Sequence, residues 1–479
     1  MSELRKSFLH SVAWTTGSNI SGFLINFFLG VWLARILGPE AYGLVGMVMV
    51  VTGFGRLFMD FGFGEALIQN QDTKDEDFSS VFWFNIIVAI ILFILFFALS
   101  EFVANFYTQP NLKSISQVIS FVFILNALGM VQRVKLEKEL KFKEIGIAEV
   151  LSSLLSIMIA ILFALKDFGV WSLVYLNLLK PTFYSLFIWL FSKWWPSFVL
   201  NSQSLIKLSR FSFALLLNGI LETIASSLDK ILIGRSLGDA SLGIYSKSIA
   251  TVRMPVMQII SAIGRVVFPS FASIQNDNDR IFAIYKKMVL IISTIVLPIM
   301  VIFYFFKTEI LLLMFGDKWT DMIPIFGIMA ITAGLIPFNI LADSVVKAKG
   351  SVKYLNLTTF IEKPIVISAI VLGISLGSIY TISITLTFAI FLIFIVKSII
   401  VCLSLSQSIW YLLYEHLKTT YLLILPVVTL IIFANFTSDE NLVLKIIVTI
   451  FSFGFSIFLL RKSLLSPTLE FIKTYKKND

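Results

Sequence analysis

One cysteine and two histidines occur in 479 residues, and only 14% of the chain is charged. A lone Cys402 excludes an internal disulfide, and its apolar neighbours favour a packed thiol over a redox centre. His10 and His416 lie too far apart in sequence to give metal-ligand spacing. No glycine-rich phosphate loop follows a strand-like run, and no Ser/His/Asp set is apparent. The expectation is therefore no metal, no cofactor and no enzyme activity. Period-two alternation is also missing, which excludes a porin-like barrel.

What is abundant points elsewhere. The chain is 58% hydrophobic, contains 47 phenylalanines and has a mean hydropathy of +0.92. No soluble domain of this size can hide so much apolar side chain. An all-α polytopic membrane protein is expected. The net charge of +9 is explained by basic loops at one membrane face, not by nucleic acid. Leu4 to His10 is basic and amphipathic, and no short apolar core with a small-residue cleavage site follows it.

A spanning helix needs about 20 apolar residues, and by that ruler the chain holds about fourteen spans. The weakest runs over 115–132, where Ser116, Gln117, Ser120 and Asn126 dilute it. The last two run over 421–436 and 442–460. Alternate loops are rich in Lys and Arg, for example Arg133, Lys135, Lys138, Lys141 and Lys143, while the other set holds single cations such as Lys113 and Lys318. The basic side is expected to be cytoplasmic, with both termini there.

One short phrase occurs twice, 200 residues apart. The first copy is Arg35-Ile36-Leu37-Gly38-Pro39-Glu40-Ala41-Tyr42-Gly43, and the second is Arg235-Ser236-Leu237-Gly238-Asp239-Ala240-Ser241-Leu242-Gly243. Each sits between long apolar runs, where glycine suits a helix end and a crowded turn. A second echo, Ala66-Leu67-Ile68-Gln69-Asn70 and Ala272-Ser273-Ile274-Gln275-Asn276, follows 206 residues apart. Repeats of this length mean two similar halves, a common transporter plan. Six spans per half place both halves in the same orientation. The division expected is a six-helix lobe over 1–200, a second over 201–410, and two added helices with a basic tail over 411–479. The stretch 192–210, with Trp194-Trp195-Pro196, is expected to link the lobes along the inner surface.

Charges deep in a span are costly and mark function by default. At about 1.5 Å per residue, Lys180, Glu222 and Arg253 fall near the midplane. Pro181 and Pro255 loosen the helix beside two of them. Arg56 and Asp60 are four apart on one helical face and suit an ion pair. Glu222, Ser226 and Asp229 share a stripe. Lys363 is moderately deep beside Pro364, whereas Lys397, Arg265 and Lys230 suit snorkelling to an interface. The deep set is net positive, as a wet cavity for an anionic headgroup would need, since a bare phosphate is very costly to move through lipid. Arg253, Lys180, Arg56 and Lys363 are the expected substrate-binding cations, and Glu222, Asp229 and Asp60 the ion-coupling candidates.

The phrase around Arg35 to Gly43, with Asp60-Phe61-Gly62-Phe63-Gly64, resembles the first turn of the polysaccharide transporter family. These are the Wzx-type flippases of the multidrug/oligosaccharidyl-lipid/polysaccharide exporter superfamily. Leu228-Asp229-Lys230-Ile231-Leu232-Ile233-Gly234-Arg235 with Leu242-Gly243-Ile244-Tyr245 resembles the same family's seventh-to-eighth helix region. The resemblance implies two six-helix lobes plus two helices in the bacterial cytoplasmic membrane. It implies flipping of undecaprenyl-diphosphate-linked oligosaccharide repeat units by alternating access, with a polysaccharide polymerase and chain-length machinery as further partners. A multidrug antiporter of the same superfamily is the alternative, though a cationic-drug pump should carry net acid. A membrane enzyme of polysaccharide assembly is a third reading. It would be expected to place charged residues in a sizeable outer loop, and no such loop is present.

Overall fold

The computed structural model describes residues 2–60, 63–70, 72–410 and 412, with short pieces between 427 and 455. The side chains of most residues before 17 and from 206 to 222 are outside the described ones. The last two expected spans therefore lie mostly outside the described residues.

The helices are α1 (Ser2–Ile36), α2 (Pro39–Asp60), α3 (Phe63–Gln69), α4 (Asp75–Ala98), α5 (Ser100–Tyr107), α6 (Asn111–Ile119), α7 (Val122–Lys138), α8 (Phe142–Leu165), α9 (Val170–Ser192), α10 (Ser202–Ser273), α11 (Asn278–Phe305), α12 (Lys307–Phe315), α13 (Met322–Ala348), α14 (Val352–Ser375) and α15 (Ile379–Leu405). No strand occurs among the described residues. Nine helical segments there are long and apolar enough to cross a membrane. The weak fourth span is two helices, α6 and α7, which meet at Ser120 and Phe121. The stretch labelled α10 is helical on both sides of Gly238, whose φ of 82° and ψ of −176° interrupt it inside the repeated phrase. An L side chain rarely adopts that conformation, so glycine is required there.

The chain divides into two compact units: 1–246 with 314–319, and 247–313 with 320–479. In the first, α8 packs between α1 and α9, and α7 packs on α4 and α9. Without a hydrophobic force between helices in lipid, small residues and hydrogen bonds must do the joining. The sequence supplies both. A Cβ at Gly129 would meet Ser185 Oγ at 2.7 Å, and that hydroxyl donates to the Leu125 carbonyl at 2.8 Å. One turn on, Trp189 Nε1 donates to the Leu128 carbonyl at 2.6 Å. Ile91 and Ile94 of α4 and Met158 and Leu162 of α8 are exposed. In the second unit α13 packs on α11 and α15, and α15 on α14. There Thr385 donates to the Ala369 carbonyl at 2.8 Å and Thr381 to the Gly373 carbonyl at 3.0 Å.

The two tryptophans of the expected linker part ways. Trp194 is buried against Phe78 with Lys135 Nζ 5.0 Å above its ring, while Trp195 is 76% exposed. The following backbone is tied to α4, with Ser197 N donating to Ser79 Oγ at 3.1 Å and Asn201 N to Ser80 Oγ at 2.9 Å.

The repeat has a physical meaning at both ends. In the first unit the two copies of the phrase sit against each other reciprocally. A Cβ at Gly43 would collide with the Asp239 carbonyl oxygen and lie 2.9 Å from Asp239 Cα. A Cβ at Gly243 would collide with the Pro39 carbonyl oxygen and lie 3.1 Å from Gly43 N. Position nine of each copy thus rests on position five of the other, as a local two-fold axis requires. The arginines that open the phrases are held by distant loops. The Arg235 guanidinium donates to the Phe106 carbonyl and lies over the Phe106 ring at 5.3 Å. Arg35 packs against Gly316, and beyond it Trp319 Nε1 donates to the Ala34 carbonyl at 2.8 Å and Lys318 Nζ to the Ile36 carbonyl at 2.6 Å.

The second echo marks a repeated helix cap. The last carbonyls of a helix have no partner within it. At the end of α3, Lys138 Nζ supplies one, donating to Leu67 O at 3.0 Å, Asn70 O at 2.7 Å and Thr73 Oγ1. In the second unit Lys349 Nζ donates to Gln275 O and Asn278 Oδ1, both at 2.8 Å. Each lysine lies at or just past the end of the helix that reaches back, α7 in one unit and α13 in the other.

Candidate functional site

The first unit contains a polar pocket inside an otherwise apolar bundle. Its walls are α1, α2, α7, α8 and α9, and its volume is about 400 Å³. Lys180, one of the expected midplane cations, lines it with Asn26, Asn126, Arg133, Glu149, Asn177 and Tyr184.

Local helix chemistry sets what these side chains offer. Asn26 Nδ2 donates to the Gly22 carbonyl at 2.7 Å, Asn126 Nδ2 to Val122 O at 2.9 Å, and Asn177 Nδ2 to Leu173 O at 2.8 Å. Each amide spends one of its two N–H donors on its own helix four residues back. Each Oδ1 keeps its acceptor capacity. Pro181 brings no N–H to α9, so the backbone carbonyl of Asn177 loses its usual helical partner. Arg133 Nε donates to Glu137 at 2.8 Å, which holds the guanidinium at the pocket wall. Lys180 has no partner among the described residues.

The second unit holds a different arrangement. Lys397 on α15 is 5% exposed, and its ammonium lies 2.9 Å from Asp343 Oδ2 on α13 and 2.8 Å from Glu362 Oε2 on α14. This corrects the snorkelling expectation for Lys397. A buried ammonium is tolerable only when paired, and two carboxylates from neighbouring helices hold it in place. Depth along one helix could not reveal a partner on another. Lys363, next to Glu362, is half-buried and has no partner among the described residues.

The other expected residues are placed as follows. Arg253 is exposed on α10. The Tyr245 hydroxyl donates a hydrogen bond to Asp229 Oδ2 at 2.8 Å, and Tyr245 is 1% exposed. Ser226 turns its hydroxyl to the Thr223 carbonyl, 3.3 Å away, and makes no contact with Asp229 among the described bonds. The side chains of Arg56, Asp60, Glu222 and Arg265 lie outside the described ones, so the Arg56–Asp60 pair does too. Among the described residues no group of three or more His, Cys, Asp and Glu could hold a metal ion. Cys402 is fully buried.

Several likenesses bear on identity. The chain is 26% identical to the teichuronic acid biosynthesis protein TuaB of Bacillus subtilis (strain 168), over 73% of each chain. It is 27% identical to the succinoglycan biosynthesis transport protein ExoT of Rhizobium meliloti (strain 1021), over 69% of this chain and 67% of that one. Its fold matches the inward closed conformation of the lipid II flippase MurJ with a TM-score of 0.71 at 14% identity, covering 95% of this chain and all of that one. A family model described as polysaccharide biosynthesis protein matches residues 32–324, more than half of the chain. This all-α polytopic membrane chain belongs to the polysaccharide biosynthesis protein family.

Proposed function

We propose that the chain is a flippase that moves undecaprenyl-diphosphate-linked oligosaccharide repeat units across the bacterial cytoplasmic membrane by alternating access. The observation that carries the reading is the polar pocket at Lys180, placed deep in an apolar bundle of a polysaccharide biosynthesis family member. Polar groups at membrane depth are costly and persist where they line a path for something polar. The names of two relatives, one for succinoglycan transport and one for teichuronic acid biosynthesis, support the substrate class.

The chemistry divides the substrate into a head and a tail. The diphosphate and its sugars cannot cross hydrocarbon bare, whereas the polyprenyl chain is at home there. In this reading Arg253, Lys180, Arg56 and Lys363 offset the phosphate charge during the crossing, because guanidinium and ammonium groups make short, charge-assisted bonds to phosphate oxygens. Glu222, Asp229 and Asp60 are the candidates for coupling the cycle to an ion. Both termini face the cytoplasm, the protein performs no covalent chemistry, and a polymerase with chain-length machinery takes the delivered unit.

The test is Arg253→Ala in cells that depend on the chain for polysaccharide export. Export is expected to stop while the protein remains in the membrane at its normal level. Undiminished export by the variant contradicts the assignment of Arg253.

A further inference from the structure

We infer that the pocket in the first unit is a sugar subsite, taking the polyhydroxylated rings of the lipid-linked unit that lie beside the diphosphate held at Lys180. The inference rests on the flippase reading and adds to it the part of the substrate this pocket takes.

The pocket is rich in acceptors. Asn26, Asn126 and Asn177 each commit one of the two N–H groups of Nδ2 to their own helix and keep Oδ1 and the second N–H. Pro181 frees the Asn177 carbonyl, and Glu149 adds a carboxylate. A phosphate brings only acceptor oxygens at neutral pH, so it would engage Lys180 and Arg133 but leave the three amide oxygens, the Asn177 carbonyl and Glu149 without donors. A sugar ring brings hydroxyls, each of which donates one hydrogen bond and accepts others. Its donors meet the amide oxygens, the Asn177 carbonyl and Glu149, while its ring and hydroxyl oxygens meet the second amide N–H groups, Arg133 and the Tyr184 hydroxyl, and Lys180 is left for the neighbouring phosphate. A volume of about 400 Å³ sits at the small end of the ligand-site range of about 300–1,000 Å³. That suits one or two rings and excludes a long oligosaccharide.

The three asparagines come from three different helices, α1, α7 and α9. Each satisfies one of its two donors locally, and the rest of the amide is a costly polar group to leave without a partner within the bundle. A purely structural role would use the Oδ1 atoms to bridge helices, and no such bridge exists among the described residues.

The experiment uses the full chain in proteoliposomes with a fluorescent undecaprenyl-diphosphate-linked oligosaccharide, scoring leaflet exchange against substrate concentration. Asn177→Leu and Asn126→Leu keep the side-chain volume and remove the acceptor. Each is expected to raise the half-saturation concentration about three- to tenfold, the worth of one well-placed hydrogen bond, with maximal exchange within about twofold of the parent. Asn126→Gln, which retains an amide oxygen, is expected to recover part of the loss. Leucine variants that saturate like the parent overturn the subsite and leave the flippase reading standing. A parent that exchanges nothing overturns the flippase reading itself. A second measurement needs no variant. A diazirine placed on the first sugar of the same lipid is expected to label parent peptides that contain Asn126, Glu149 or Asn177. Labelling confined to other peptides overturns the inference.

Discussion

Gly43→Ala places a methyl group where the chain has no room for one. An added Cβ would lie 2.9 Å from Asp239 Cα and closer still to the Asp239 carbonyl oxygen. Carbon atoms rest comfortably at about 3.5–4.0 Å, so clearing that Asp239 carbon alone requires the backbones to part by about 0.6–1.1 Å. The obstacles are main-chain atoms, which cannot swing aside as a side-chain tip could. Overpacking of this kind costs about 1–3 kcal/mol. Gly243→Ala meets Pro39 in the same way, with its Cβ 2.8 Å from the Pro39 carbonyl carbon. Because both glycines serve one reciprocal approach, the first substitution already separates the pair. The double variant is then expected to lose clearly less than the sum of the singles, as coupled neighbours do. Thermal unfolding of the purified protein in lipid nanodiscs, followed for the parent, both singles and the double, measures all four states. Destabilisation below about 0.5 kcal/mol in Gly43→Ala, or strict additivity in the double, refutes the reciprocal packing.

Two further predictions concern charges. Lys397→Met leaves Asp343 and Glu362 facing each other without their cation, and because each carboxylate is about a third exposed the loss is expected to stay below the cost of breaking a fully buried pair, about 3–5 kcal/mol. Adding Asp343→Asn and Glu362→Gln to Lys397→Met is expected to restore most of that loss, and a triple variant as unstable as the single counts against the triad. Lys138→Met and Lys349→Met each uncap a helix end, and charged hydrogen bonds of this type are worth about 1.5–3 kcal/mol, so matched losses are expected from both. Hydrogen exchange at Leu67–Asn70 and at Gln275, one in each variant, reports the local opening.

Much of this architecture is legible in the residues alone, and the illegible part has physical causes. The repeated phrase and its spacing of 200 residues are plain. The reason for its glycines is not, since the approach of Gly43 to Asp239 joins residues far apart in sequence. The second echo is visible too, yet its purpose depends on Lys138 and Lys349 reaching back from another helix. Lys180 could be found by depth, because a charge in an apolar run stands out. Asn26, Asn126 and Asn177 escape that filter, as amides carry no charge. The one signal for them is Asn177 four residues ahead of Pro181, the spacing at which proline frees a carbonyl. Lys397 looks like a snorkelling lysine for the same reason that α13 and α14 are silent in its local sequence: its carboxylates come from elsewhere.

Leaflet exchange by the purified parent chain, in liposomes free of other proteins and loaded with one defined undecaprenyl-diphosphate-linked oligosaccharide, tests transport most directly. Exchange well above that of empty liposomes is what the account predicts, with no change in the length of the sugar chain. Exchange no faster than the protein-free rate, or elongation of the oligosaccharide by the protein alone, contradicts it.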